Sequence, residues 1–242
     1  MKPADPRRRE LLGLTAAAVA GIAVAPGVML YAEAKAPGEA ASAKVRWGML
    51  IDTTRCTSGC TACVEACREE NGLPRTTRPT DAQWLRKVDV KDPRTGKSAS
   101  APVMCQHCAH PPCVDVCPTG ASFKRADGIV LVDRHLCIGC RYCMLACPYK
   151  ARSFVHEPTT GQKPDVPRGK GCVEGCTLCV QRIDAGRAPA CVEACASAGH
   201  GAIVFGDLND PSSEIAQRLR SVASTQLRAD LRLDPGVRYQ GL

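Results

Sequence analysis

Four short runs of cysteine constrain this chain more than any other feature of its sequence. Sixteen of the seventeen cysteines fall into these runs, and Cys172 is left over. An odd number of cysteines in tight clusters is not typical of a protein stabilised by disulfide bonds, so we interpret the runs as metal ligands. In chain order the runs are Cys56, Cys60, Cys63 and Cys67; Cys105, Cys108, Cys113 and Cys117; Cys137, Cys140, Cys143 and Cys147; and Cys176, Cys179, Cys191 and Cys195.

The third run has the spacing C-x2-C-x2-C-x3-C and is followed by Pro148. This is the bacterial ferredoxin pattern, in which three cysteines in a loop hold one 4Fe-4S cluster and the fourth holds its neighbour. Zinc is an alternative, but a zinc ribbon separates two C-x2-C pairs by a longer spacer and leaves no role for a third cysteine. Redox disulfides are a second alternative, since C-x2-C neighbours form them readily.

Composition supports the cluster interpretation. The chain has 242 residues but only nine aromatic ones, so metal clusters would fill part of its interior. The formal net charge of +8 is typical of a nucleic-acid binder. A 4Fe-4S core on four thiolates contributes a charge of about −2, so four clusters would offset this excess and we expect no nucleic-acid partner.

The first residues resemble a twin-arginine export signal. The segment PRRRELLGL spans residues 6–14, with Arg8 and Arg9 as the pair, and an uncharged stretch follows as far as Leu30. Retention as a membrane anchor and an ordinary buried helix are the alternatives. Because the twin-arginine route carries folded proteins, the cysteines would already hold iron before they leave the reducing cytoplasm.

Hydrophobic patterning predicts short strands at residues 45–52, 128–133 and 202–207, and a helix that begins within the first cysteine run. Residues 89–100 and 156–171 are predicted to be surface loops. One amphipathic helix is predicted near the C-terminus, capped by Ser212 or Ser213. Its apolar positions are Ile215, Leu219, Val222 and Leu227.

The polar residues near the cysteines suggest no catalytic site, because no serine, histidine and carboxylate constellation is present. His107 and His110 are predicted to support a cluster rather than to bind iron. Four cations are interpreted as solvated charge: Lys124, Arg125, Arg141 and Lys150.

With these motifs in place, the chain resembles the four-cluster iron-sulfur subunits of the dimethyl sulfoxide, polysulfide and nitrite reductase type. The stretches that carry the resemblance are CQHCAHPPCVDVCPTGA, DGIVLVD, CIGCRYCMLACPYKAR, CTLCVQR and FGDL. The resemblance implies an α+β fold of two ferredoxin-like modules, the second inserted in the first. We expect a signal and linker at residues 1–43, an outer module at 44–80 and 168–208, an inner module at 81–167 and a C-terminal helical extension at 209–242.

The resemblance also implies four 4Fe-4S clusters, with the first cysteine run paired with the fourth and the second with the third. The implied ligand sets are quartet A, Cys56, Cys60, Cys63 and Cys195; quartet B, Cys67, Cys176, Cys179 and Cys191; quartet C, Cys105, Cys108, Cys113 and Cys147; and quartet D, Cys117, Cys137, Cys140 and Cys143. Two departures from the family pattern lie in the outer module. The first run has an x3 spacer, where Gly59 is expected to supply backbone freedom, and a glycine-rich exit follows Cys195.

The implied function is single-electron transfer between an integral membrane, quinone-interacting subunit and either a molybdopterin catalytic subunit or a haem protein. The protein is expected in the periplasm, associated with the membrane through its partners. The export signal favours an exported branch of the family, such as the iron-sulfur subunit of the Dsr membrane complex of sulfur metabolism. A free periplasmic polyferredoxin that acts as a mobile carrier and a zinc-bound interaction module are the competing hypotheses.

Overall fold

The computed structural model describes residues 40–75, 78 and 80–242, together with the backbone of two short strands. These strands, β1 (Ile22–Ala25) and β2 (Val28–Leu30), pair antiparallel. Apart from this backbone, the predicted export signal lies outside the described residues. Within the described part of the chain, no helix is both long enough and apolar enough to cross a membrane.

A three-stranded sheet lies in the largest part of the core. Its central strand is β3 (Trp47–Asp52), flanked by antiparallel β10 (Ile203–Asp207) and parallel β11 (Val237–Gln240). The run Met49, Leu50 and Ile51 is at most 1% exposed, because both faces of β3 are covered. The strands predicted at residues 45–52 and 202–207 are therefore confirmed with slightly shorter bounds.

The remaining strands form three antiparallel hairpins. These are β4 (Leu85–Lys91) with β5 (Ser98–Met104), β6 (Ser122–Lys124) with β7 (Val130–Val132), and β8 (Arg152–Phe154) with β9 (Val173–Gly175). The strand predicted at residues 128–133 is confirmed as β7. The prediction of a loop over residues 89–100 is wrong, because β4 and β5 extend into this segment on both sides of a tight turn at Gly96, where φ is +72°.

Six helices lie among the described residues: α1 (Ala62–Asn71), α2 (Pro112–Asp115), α3 (Tyr142–Ala146), α4 (Val180–Ile183), α5 (Ala190–Ser197) and α6 (Glu214–Ser221). The helix predicted to begin in the first cysteine run is α1. It ends at Gly72, whose left-handed φ of 60° suits a glycine cap. Helix α1 packs against α5, and α2 packs against α3. The helix of the first cysteine run therefore packs against the helix of the fourth, and the helix of the second run packs against the helix of the third.

The C-terminal prediction needs a correction. Helix α6 begins after Ser213, whose hydroxyl accepts a hydrogen bond from the Ala216 backbone N–H at 3.2 Å, as the cap prediction required. The helix ends at Ser221, because Val222 is already extended at φ −123° and ψ 144°. The chain then continues through a 3-10 turn at Ala229–Leu231 into β11. Residues 209–242 are thus not a helical extension, since they supply a strand of the central sheet.

Candidate metal centres

The structure gathers the sixteen cysteines of the four runs into groups. None of the seventeen cysteines is in a disulfide. Three cavities are each lined by four cysteines, and the three sets are those of quartets A, C and D. The members of quartet B are also neighbours, since the Cys67 sulfur interacts with those of Cys176 and Cys179, and the Cys191 sulfur with those of Cys67 and Cys179. Their role as ligands of particular clusters stays a prediction.

The donor sets fit a polynuclear iron cluster. Among the described residues, no three His, Cys, Asp or Glu side chains converge closely enough to hold a single metal ion. In quartets A, C and D the sulfurs instead surround a cavity, and thiolates around an open volume are the ligands that a 4Fe-4S cluster requires.

Left-handed backbone positions shape the cysteine loops. Gly59, in the longer spacer of the first run, has φ +83°, which confirms the expectation that it supplies backbone freedom. Gly139, between Cys137 and Cys140, has φ +71°, and a Cβ there would lie 2.3 Å from the carbonyl oxygen of Gly171. Glycine is therefore required at position 139, both because the backbone is left-handed there and because a side chain would clash with Gly171.

A short helix at each x3 spacer connects neighbouring quartets. Cys63 and Cys67 lie on α1, and Cys191 and Cys195 lie on α5. Residues four apart on a helix lie on the same face, about 6 Å apart along the axis. Each helix therefore supplies one sulfur to quartet A and one to quartet B. In the second and third runs, Cys113 lies on α2 and Cys143 lies on α3, while Cys117 and Cys147 follow just after the ends of these helices. These two helices therefore connect quartets C and D.

Several backbone N–H groups donate to cysteine sulfurs. Ala202 donates to Cys195 at 3.2 Å in quartet A, and Leu178 donates to Cys176 at 3.4 Å in quartet B. In quartet D, the N–H groups of Ser122 and Val173 donate to Cys117 and Cys137, at 3.3 and 3.4 Å. Hydrogen bonds to ligand sulfurs stabilise the reduced form of a cluster, so these donors would affect the reduction potential of a cluster bound there.

Burial and neighbouring sulfurs raise the pKa of several of the cysteine thiols. Burial first, and then the neighbouring sulfurs of the same quartet, raise the pKa of the Cys63 thiol to about 11. The same two causes raise the pKa of Cys108 to about 12. Four thiolates can share such a site only when positive charge offsets their repulsion, and an iron core supplies that charge.

Sequence reasoning missed Arg152, the charged residue closest to the cysteines. It is buried on β8, and its Nη2 donates to the Cys113 Sγ at 3.1 Å and to the Ser122 hydroxyl at 2.8 Å. Arg152 follows the third run by only five residues, but Cys113 lies 39 residues away in sequence. Short-range patterning gives no signal for such a contact.

The two histidines of the second run differ in their surroundings. His107 is 2% exposed, and its Nδ1 accepts a hydrogen bond from the Val130 backbone N–H at 3.0 Å. Burial, followed by the charge of Arg152, lowers the pKa of His107 to about 3, so its ring is neutral at physiological pH. It therefore supports the loop by hydrogen bonding, while His110 is exposed.

Three of the four cations interpreted as solvated charge have specific partners, which corrects that expectation. The Lys124 ammonium donates to the Ala109 carbonyl at 2.6 Å. Arg125 makes ion pairs with Asp127 and Asp184 at 2.5 and 2.8 Å. The guanidinium of Arg141 stacks over the ring of Phe154, with its central carbon 3.9 Å from the ring centroid. Asp127 is only two residues from Arg125, but the other partners are 13 or more residues away in sequence and are identified only by the fold.

Comparisons with known proteins identify the class of the chain. The 4Fe-4S dicluster domain family matches residues 51–121 and, in a second model of the same description, residues 97–208. Two such domains carry four 4Fe-4S clusters. The fold and the grouped cysteines thus define an iron-sulfur protein with two dicluster, ferredoxin-like domains.

Similar proteins narrow this class to a family. The Hdr-like menaquinol oxidoreductase iron-sulfur subunit 1 of Archaeoglobus fulgidus is 44% identical over 97% of this chain and 98% of that protein. A tetrathionate reductase subunit of Salmonella typhimurium is 39% identical over 98% and 89%. Protein NrfC of Escherichia coli is 43% identical over 79% and 78%. The chain belongs to the family of iron-sulfur electron-transfer subunits to which these proteins belong.

Proposed function

We propose that the protein relays single electrons through four 4Fe-4S clusters bound by quartets A, B, C and D, as the iron-sulfur subunit of a membrane-associated oxidoreductase complex. The observation that carries this proposal is the lining of three separate cavities by three of the quartets. When bound, each cluster accepts or releases one electron. The chain itself supplies thiolates, amide donors and burial, and its helices keep neighbouring sites close together.

The ligand sets favour an insertion of one module in the other. The outer module would comprise residues 44–80 and 168–208, which contribute quartets A and B. The inner module, residues 81–167, would contribute quartets C and D. The packing of α1 on α5 and of α2 on α3 supports this division, because each pair brings together the runs that share a module.

Quartet D has an exposed apolar surface that suits a partner. Cys140 is exposed, and Ile138, Tyr142 and Leu145 are 68%, 57% and 73% exposed. Large apolar side chains in such a group usually mark a protein interface. We assign this surface to an integral membrane, quinone-interacting subunit, which would place the cluster of quartet D next to that partner. The proteins similar to this chain include a menaquinol oxidoreductase subunit, which agrees with this assignment.

The opposite end of the relay would contact a molybdopterin catalytic subunit or a haem protein. Similarity to a tetrathionate reductase subunit favours a catalytic partner and a place in sulfur metabolism, as in the Dsr membrane complex. Similarity to subunits of complexes along nearly the whole chain also favours a docked subunit over a free polyferredoxin.

Export by the twin-arginine route is part of this proposal, and it places the protein in the periplasm. Its support is the pair Arg8 and Arg9 ahead of an uncharged stretch. Changing both arginines to lysine should retain the protein in the cytoplasm with its clusters intact. Periplasmic accumulation of that variant would contradict the assignment.

The test of the relay is the iron and acid-labile sulfide content of anaerobically purified protein, combined with EPR of the reduced form. About sixteen iron atoms per chain and interacting 4Fe-4S signals are expected. Eight or fewer in intact protein, or zinc in place of iron, would contradict the relay.

The docking surface needs its own experiment. Leu145→Glu should reduce co-purification with the membrane partner while the iron content stays the same. Val90→Glu is a matched control, because Val90 is 52% exposed on β4, outside the cysteine runs that contribute quartet D. Equal retention of both variants in the complex would refute the assigned surface.

A further inference from the structure

Arg152 is a buried cation for which the described residues supply no carboxylate partner. It is 8% exposed, and its Nη1 is buried without a hydrogen-bond partner. Asp133 and Glu174 line the same cavity between β7 and β9, but neither makes an ion pair with Arg152. Both carboxylate oxygens of Glu174 accept from Arg168, at 3.1 and 2.7 Å, and Asp133 accepts from the His135 backbone N–H at 2.8 Å. A buried guanidinium is costly without a counter-charge, so its charge must be balanced by something else.

Carboxylates neutralise the other buried arginine among the described residues, Arg182, and also the half-buried Arg125. Arg182 is also 8% exposed, but it makes ion pairs with Glu70 and Glu193. Arg125 makes ion pairs with Asp127 and Asp184. Arg152 differs from both, because cysteine sulfurs occupy the place of the carboxylates around it.

The sulfurs near Arg152 belong to both inner quartets. Nη2 donates to Cys113 of quartet C at 3.1 Å, and the guanidinium also interacts electrostatically with the sulfur of Cys143 of quartet D. The orphaned Nη1 leaves one further donor on the same group. A single guanidinium thus lies between two neighbouring cluster sites.

We propose that Arg152 raises the reduction potentials of the clusters bound by quartets C and D. Reduction adds negative charge to a cluster, and a fixed cation that donates to its sulfurs stabilises the reduced form more than the oxidised form. The effect is larger for quartet C, which has the direct contact through Cys113. This inference rests on the ligand sets of the proposed function.

The experiment is an EPR-monitored redox titration of the anaerobic holoprotein. The signals of the two inner clusters are first identified with Cys108→Ser and Cys140→Ser, each of which alters one site. In Arg152→Gln, the potential of the quartet C cluster should shift downward, that of quartet D by less, and those of quartets A and B should not move. Arg152→Lys keeps the charge with fewer donors and should shift less than Arg152→Gln.

Arg125→Gln is the matched control. It removes a half-buried arginine of the inner module that donates to carboxylates instead of cysteine sulfurs. Its four potentials should equal those of the wild type even if the protein becomes less stable. A loaded Arg152→Gln protein with four unshifted potentials would overturn the proposal, as would an equal shift of all four.

If Arg152→Gln loses iron, a second measurement tests whether the Arg152 guanidinium contacts an inner cluster. Wild-type protein labelled with 15N-arginine should show a 15N hyperfine coupling to a reduced inner cluster, because a guanidinium nitrogen lies within hydrogen-bonding distance of a ligand sulfur. Absence of that coupling would overturn the proposal. A wild-type iron content far below about sixteen would instead contradict the ligand sets themselves, so the two failures can be distinguished.

Discussion

We predict that removing one partner of the buried ion pair between Arg168 and Glu174 lowers the free energy of unfolding by several kcal/mol. Glu174 lies on β9 and is 2% exposed, and Arg168 donates to both of its carboxylate oxygens, at 3.1 and 2.7 Å. Arg168 also donates to the Gly72 carbonyl at 3.1 Å, beyond the end of α1. The pair therefore joins β9, the loop before it and the first cysteine helix.

The substitution Arg168→Gln would leave the Glu174 carboxylate buried without its main counter-charge. Removing one partner of a buried pair costs about 3–5 kcal/mol. Arg134 interacts electrostatically with Glu174, so we expect the lower end of this range, about 3 kcal/mol. For a chain of this size each kcal/mol lowers the melting temperature by about 2–4 °C, which gives a decrease of about 6–12 °C.

The assay is thermal unfolding of the anaerobic holoprotein at a fixed scan rate, followed by cluster absorbance and far-UV circular dichroism together. The double variant Arg168→Gln/Glu174→Gln should recover most of the loss, because neither charge then remains buried. Arg228→Ala is the control, since its ion pair with Asp230 is 53% and 61% exposed and should contribute nothing measurable. A melting temperature unchanged in Arg168→Gln, or a double variant no better than the single one, would refute the reasoning.

Three further predictions concern individual positions. Gly139→Ala should lose about four iron atoms per chain, because the new Cβ would lie 2.3 Å from a backbone oxygen. Gly59→Ala should keep all its iron, because nothing lies within 4 Å of its Cβ, and the left-handed backbone should lower the free energy of unfolding by only about 1–2 kcal/mol. Iron analysis of both variants tests the contrast, and equal loss would contradict it. Cys172→Ser should retain about sixteen iron atoms, because its thiol donates to a backbone carbonyl at 3.3 Å as a hydroxyl also can; loss of a cluster signal would make Cys172 a ligand. Ser213→Ala should destabilise the protein by about 0.5–2 kcal/mol in thermal unfolding through loss of the α6 cap, and an unchanged melting temperature would argue against the cap.

The features predictable from sequence are those whose cause is local. The cysteine loops depend on residues two to four positions apart, and α1 begins where the first run predicts it. The strand at 128–133 follows from an apolar run after a turn. Each of these signals lies within a segment shorter than about ten residues, which one sequence displays directly.

The features that sequence could not predict depend on distant residues. Strand β11 forms because Val237 and its neighbours pair in parallel with β3, almost 190 residues earlier. From sequence alone, VRYQ is a four-residue alternation after a turn, and nothing in it indicates which strand it would pair with. The helix prediction failed there for the same reason, since burial of Val237 and Tyr239 at 1% exposure favours a strand over continued helix.

The repeated x3 spacer explains how one fold can hold a chain of clusters rather than four separate ones. In the proposed ligand sets, the cysteine at the start of α1 or α5 would complete the cluster of its own loop, and the cysteine one turn later would bind the neighbouring cluster. Since the turn sets these two residues about 6 Å apart along the axis, helix geometry rather than the loops would set the spacing of the two clusters in that module. The loops can therefore vary, as the longer spacer at Gly59 does, without changing the distance that an electron must travel between neighbouring clusters.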